Sequence, residues 1–212
     1  MRRSEGHPEK AFRQAFDPLP LCMAVLAFSL FIALLGCMAR PGGMTSDLPA
    51  SIGSGKVKDV PFYPQLAFQC GPASLAGVLT FYGEDVTPDE VADAIFRKSI
   101  RGTVTIDMVL YARQKGFTAR WYSGSVDDVR RSVDKGVPLI VMVDLGFVNI
   151  SNNHYMVVVG YSPEGVIVNS AKAREKLITW NHFLTRWDRT ERWTLRIQPK
   201  TQPQTEHTPR RE

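Results

Sequence analysis

The apolar residues of this chain change their spacing once, near Gly136, and that change limits the fold more than any other feature. Before it, apolar side chains recur at helical intervals. After it they come as unbroken runs: Pro138-Leu-Ile-Val-Met-Val-Asp144, Tyr155-Met-Val-Val-Val-Gly-Tyr161 and Gly165-Val-Ile-Val-Asn169. Runs of this length suit strands buried on both faces. Helices first and neighbouring strands second predict an α+β architecture with an antiparallel sheet, not an alternating parallel one.

The punctuation supports this order. Gly71-Pro72 opens a helical pattern through Leu75, Val78 and Leu79, and Gly83 stops it. Thr87-Pro88-Asp89-Glu90 has the form of a capping box with proline in the first turn. Thr105 opens a third helix that ends at Gly116, and Ser125 caps a fourth that ends at Gly136. The turn Ser162-Pro163-Glu164-Gly165 joins two of the strands. A short helix over Trp180 to Trp187 precedes a last strand from Arg192 to Ile197.

The ends read differently from the middle. Residues 1–18 are polar and carry Arg2, Arg3, Lys10 and Arg13. An apolar stretch then runs from Leu19 to Cys37, with no charge between Asp17 and Arg40. A basic leader before an apolar stretch is the pattern of an export signal. Its close, Leu34-Leu35-Gly36-Cys37, resembles a bacterial lipobox, which implies lipidation of Cys37. The other reading is an uncleaved membrane anchor, the stretch being near the lower limit for a span. Both readings place the domain outside the cytoplasm, on a membrane. Met38 follows Cys37 where an aspartate would retain a lipoprotein at the inner membrane, and by that resemblance the outer membrane is favoured. Residues 38–56 are rich in Gly, Ser and Pro and read as a flexible tether. Residues 57–198 form the folded domain, and 199–212 read as a disordered tail.

Charge and cysteine content exclude several classes. The formal net charge is +5, but the basic residues are scattered and no nucleic-acid arm is present. Three cysteines in separate contexts make neither a disulfide framework nor a metal cluster, so no metal or cofactor is implied. Cys22 lies in the signal and Cys37 at the lipobox, which leaves Cys70 as the lone thiol of the domain.

A lone thiol in an exported domain is most often a buried small side chain. The position of Cys70 argues for more. It stands where the first helix begins, and there free N–H groups and the helix dipole favour a thiolate. A thiolate nucleophile also needs a base. His7 and His207 lie in the ends, and His182 in a polar helix. His154 opens the run Tyr155–Tyr161, where an imidazole can reach a helix N-terminus. Gln65 and the Cys70 N–H are candidate oxyanion donors, and Asn169, with Ser170 beside it, is the candidate to orient the imidazole. Among the aromatic residues, Trp121, Tyr155, Tyr161 and Trp180 suit either a substrate groove or the core.

Together these pieces resemble a family. Asp59-Val-Pro-Phe-Tyr-Pro-Gln65-Leu-Ala-Phe-Gln-Cys70-Gly-Pro-Ala-Ser-Leu is similar to the nucleophile segment of the bacteriocin-processing peptidases, papain-like enzymes that cut leader peptides after a double glycine. His154-Tyr-Met-Val-Val-Val-Gly-Tyr, followed by Gly-Val-Ile-Val-Asn169, resembles their histidine segment. The chain looks most like a stand-alone exported lipoprotein branch. The resemblance implies a papain-like fold, Cys70 as nucleophile, His154 as base and Gln65 as oxyanion donor. Those peptidases usually carry an aspartate at the third position, where this chain has Asn169-Ser170-Ala171. The third member is therefore Asn169 or Ser170. No Gly-x4-Gly-Lys-Ser/Thr motif occurs, so an ABC exporter partner would be a separate chain. The expected activity is peptide-bond hydrolysis by a membrane-tethered cysteine peptidase. The alternative is a catalytically weak module that binds a leader peptide or a secreted partner.

Overall fold

The computed structural model describes residues 52–65, 68–147 and 150–200. The signal stretch, Cys37, most of the tether and the tail beyond Lys200 lie outside the described residues. Strand β1 (Gly55–Lys56) comes first, then helices α1 (Cys70–Phe81) and α2 (Pro88–Ile95). A small hairpin follows, β2 (Phe96–Arg97) and β3 (Gly102–Thr103), joined through a 3-10 turn over Lys98–Ile100. Next are α3 (Thr105–Gln114), β4 (Phe117–Ser123), α4 (Val126–Asp134), β5 (Leu139–Asp144), β6 (Asn153–Tyr161), β7 (Gly165–Ser170) and β8 (Ala173–Thr179). Helix α5 (Trp180–Asp188) and β9 (Trp193–Pro199) complete the domain. This is the α+β arrangement that the spacing of apolar residues requires.

Local chemistry sets the helix boundaries. Thr87 Oγ1 accepts from the Glu90 N–H at 3.3 Å, while Glu90 Oε2 accepts from the Thr87 N–H at 2.7 Å. Ser125 and Asp128 make the same reciprocal pair at the start of α4. Each box satisfies two N–H groups that the helix itself cannot, and each cap contributes about 1 kcal/mol. Beyond α1, Gly83 takes φ 88°, which a residue with a Cβ adopts only at a cost.

The main sheet is antiparallel, in the order β4-β9-β5-β6-β7-β8, with β1 added against the end of β6. Two of its strands, β4 and β8, go beyond those expected from the sequence. β8 is almost wholly exposed and carries Arg174, Glu175 and Lys176; its pairing comes from the tight turn after β7. β4 lies at the other edge and shows Trp121 half-exposed. Edge strands bury too little to need an apolar pattern, and charge along them discourages pairing with other chains. Two domain limits also move. Gly55 and Lys56 pair with Tyr161 and Gly160, so the last residues of the expected tether belong to the sheet. Pro199, expected in the tail, pairs with Phe117.

The two faces of the sheet are covered by different helices. Helix α1 packs on β5 and β6, burying Leu75, Ala76 and Leu79. Helix α5 packs across β5, β7 and β8, burying Phe183, Leu184 and Trp187. The sheet between them is apolar on both sides, as the unbroken runs require. Among the described residues, no helix is long and apolar enough to cross a membrane.

Candidate active site

Cys70 is the first residue of α1. Gln69 before it provides no side-chain cap, and no acidic residue stands in the first turn. The N–H groups at this helix end are therefore open toward the sulfur. Three backbone N–H groups favour a charged Sγ: those of Tyr155, Gly71 and Cys70 itself. Tyr155 is the residue after His154, so the start of α1 lies against the start of β6.

Alternation along β6 then separates two sides. Asn153 and Tyr155 line a cavity of about 600 Å3 together with Cys70. His154 and Met156 line a second cavity of about 430 Å3, on the side covered by α5. There His154 Nε2 meets Ser170 Oγ at 2.9 Å. With Nε2 engaged, Nδ1 is the ring nitrogen left free. Among the described residues no hydrogen bond holds it: the thiol and the imidazole line different cavities, and no hydrogen bond joins them.

The structure decides between the two candidates for the third position. Asn169 is buried, and its Oδ1 accepts from the Glu175 N–H at 2.9 Å, which braces the irregular β7–β8 hairpin. The expectation that Asn169 orients the imidazole is thus corrected. Ser170 pairs with the imidazole, because neighbouring side chains on a strand point to opposite faces. A hydroxyl can donate or accept, so it holds the ring in place but fixes the tautomer less strictly than a carboxylate would.

Gln65 is fixed by the turn that follows Ser170. Its N–H donates to Ala171 O at 2.8 Å and its Oε1 accepts from the Ala171 N–H at 3.0 Å. Nε2 makes only a long contact with Ser74 Oγ, at 3.5 Å. The acceptor side of the amide is engaged and a donor hydrogen remains, as an oxyanion donor needs. The two bonds also hold Ala171 at φ 53°, a left-handed conformation worth about 1–2 kcal/mol of strain for a residue with a Cβ.

Burial sets the charge state of the resting pair. It pushes the Cys70 thiol up, and the three N–H groups only partly offset it. It also pushes the His154 imidazole down. Both shifts favour the neutral forms. The helix N-terminus alone predicts a lowered thiol pKa, and here burial overrides it. Tyr155 is raised well above the ordinary phenol range, first by burial and then by the charge a Cys70 thiolate would carry.

Sequence reasoning misses several supports of the site. Asp144, at the end of β5, accepts from the N–H groups of Gly146 (2.7 Å) and Asn152 (2.8 Å), closing the loop that leads into Asn153 and His154. Aspartate two residues before glycine is the only sequence signal of this turn. Thr103 of β3 presses on Gly71: a Cβ there would lie 3.0 Å from the threonine side chain. His182, assigned no role from the sequence, lines the cavity of His154 and Ser170 with Lys176 and Arg186. Of the four aromatic residues singled out, Tyr155 lines the Cys70 cavity, Tyr161 and Trp180 are buried in the core, and Trp121 is at the β4 edge. Among the described residues, no group of side chains is arranged to hold a metal ion.

The model of the Peptidase_C39 like family matches residues 57–194. The chain belongs to the Peptidase_C39-like family. Among curated protein sequences, none matches it. The solved structures it resembles include a protein from Bacillus anthracis described as C39-like, at 17% identity and a TM-score of 0.59, with 71% of this chain and 100% of that chain covered. The peptidase domain of Streptococcus ComA, a bi-functional ABC transporter of a quorum-sensing pathway, is similar at 23% identity and a TM-score of 0.56, covering 67% and 100%. A double glycine motif protease from an AMS/PCAT transporter, solved with its leader peptide, is similar at 23% identity and a TM-score of 0.55, covering 70% and 99%. At these identities the likeness is one of fold: this C39-like domain has the papain-like α+β fold of the C39 peptidases.

Proposed function

We propose that this C39-like domain is a cysteine peptidase that hydrolyses peptide bonds, with leader peptides ending in a double glycine as its substrate class. The observation that carries this reading is the meeting of two elements. The sulfur of Cys70, at an uncapped helix N-terminus, lies against the Tyr155 N–H, and the preceding residue, His154, is oriented by Ser170. In the reaction, the Cys70 thiol gives its proton to His154 Nδ1 as Sγ attacks the scissile carbonyl. The oxyanion is held by the Cys70 N–H and Gln65 Nε2. His154 returns the proton to the leaving amine, and the acyl group stays on Cys70 as a thioester. His154 then takes a proton from water, which attacks the thioester and frees Cys70.

We further propose that the domain is exported and held on the membrane through lipidation of Cys37 or an uncleaved N-terminal helix, and works beside a separate ABC exporter chain. A second reading is supported by one observation. Ser170 supplies a neutral hydroxyl where a carboxylate would stabilise an imidazolium, which suits a weak enzyme that mainly binds its peptide. One experiment separates the two: digestion of a proteome-derived peptide library, with cuts identified by mass spectrometry. New termini that disappear in Cys70→Ala support the peptidase. Retained peptides with no Cys70-dependent cuts support the binding module and refute hydrolysis.

A further inference from the structure

The cavity beside Cys70 carries a single charged side chain among its described lining residues, Arg101. Its walls are apolar at Phe68, Ile100, Met142 and Tyr155, its polar lining includes Asn153, and no acidic residue faces it. Arg101 closes the 3-10 turn of the β2–β3 hairpin, its N–H bonded to Lys98 O at 3.2 Å and its backbone left-handed at φ 49°. The guanidinium sits 4.1 Å above the centre of the Phe68 ring. A guanidinium held over a ring can still offer N–H groups to a ligand. The Arg101 guanidinium makes no hydrogen bond or ion pair with a described residue. Arg97, four residues earlier, is by contrast clamped by both oxygens of Asp107.

Resting on the peptidase reading, we propose that this cavity is a specificity subsite for an acidic substrate side chain, with Arg101 as the residue that selects it. The carboxylate takes the free guanidinium edge in a two-point hydrogen bond. The apolar walls take the methylene stem, which favours glutamate over aspartate. A lysine or arginine in the same place would bring like charges together in a cavity with no counter-ion.

The test uses the full chain in detergent, the same peptide library, and Cys70→Ala to define authentic cuts. Glutamate should be enriched at one position flanking the cut. A glutamate peptide should then be cut with a kcat/KM about tenfold above its glutamine counterpart, the scale of one charge-assisted hydrogen bond. Arg101→Gln should erase that ratio, chiefly by lowering kcat/KM on the glutamate peptide. Arg101→Glu should turn the preference toward lysine. Arg101 is exposed at the cavity rim, so these variants keep the fold, which circular dichroism verifies. Cys70-dependent cuts without acidic enrichment, or an enrichment that survives Arg101→Gln, would overturn the subsite and leave the peptidase standing. No Cys70-dependent cuts at all would overturn the peptidase reading, and the subsite with it.

Discussion

Replacing Ser170 by aspartate puts a negative charge where the hydroxyl now meets His154 Nε2 at 2.9 Å. Room for the larger group exists, because the cavity that Ser170 lines holds about 430 Å3. At this separation two unit charges attract by about 1.4 kcal/mol in water-like surroundings and by several kcal/mol at a partly buried site. One pKa unit corresponds to about 1.4 kcal/mol, so the imidazole should rise by about 1–2 units. Burial now holds His154 below its ordinary value, and the carboxylate opposes that shift. In the natural chain the unfolded state binds the His154 proton more readily, and stability is lost as pH falls from about 6.5 through the folded pKa. In Ser170→Asp that loss on acidification should shrink, and it should reverse only where the folded pKa passes the unfolded one. The assay is an NMR titration of the His154 ring carbon from pH 4 to 9, paired with urea midpoints at pH 5 and 7. A His154 pKa that stays put, or falls further, would refute the placement of Ser170 against the imidazole.

Other consequences follow from the same contacts. Iodoacetamide alkylation of Cys70 should rise only above the ordinary thiol range near 8.5, since burial raises the thiol; an apparent pKa well below 7 would mean that the helix N-terminus outweighs burial. Thr87→Ala should lower stability by about 1 kcal/mol, read from the urea midpoint, and an unchanged midpoint would show that the α2 capping box contributes nothing. The Asn152 and Gly146 N–H groups hold the Asp144 carboxyl below its usual range. Its contribution should therefore be complete above about pH 4 and fade as pH falls through the folded pKa, so the urea midpoints of the natural chain and Asp144→Asn should differ most near neutral pH and draw together on acidification.

The sequence was most legible where one local interaction decides the outcome. The Thr87 capping box, the Ser125 cap, the start of α1 and the buried strands β5, β6 and β7 follow from residue type and spacing alone. β8 does not, because an edge strand can be made by its neighbour's hydrogen bonds and needs no apolar pattern of its own; β4 does alternate, with Phe117 and Ala119 turned inward, but the run is short and interrupted by Thr118 and Arg120. The site divides in the same way. Cys70 and His154 could be picked out by position. The choice between Asn169 and Ser170 depends on which face of β7 each presents, and that parity is set by the pairing with β6 and by the turn at Ala171. The charge state of the thiol was misjudged because the helix end is visible in sequence and burial is not. Arg101 carried no signal, since only the folded hairpin brings it beside Cys70.

The central claim is that Cys70 takes up an acyl group with His154 moving the proton. The direct measurement exposes the full chain to a peptide thioester ending in Gly-Gly and locates the adduct by rapid quench and peptide mapping. The account predicts a transient acyl mass on Cys70, none in Cys70→Ala, and acylation about 10²-fold or more slower in His154→Ala. No acyl group on Cys70, or equal rates with and without the imidazole, would contradict it.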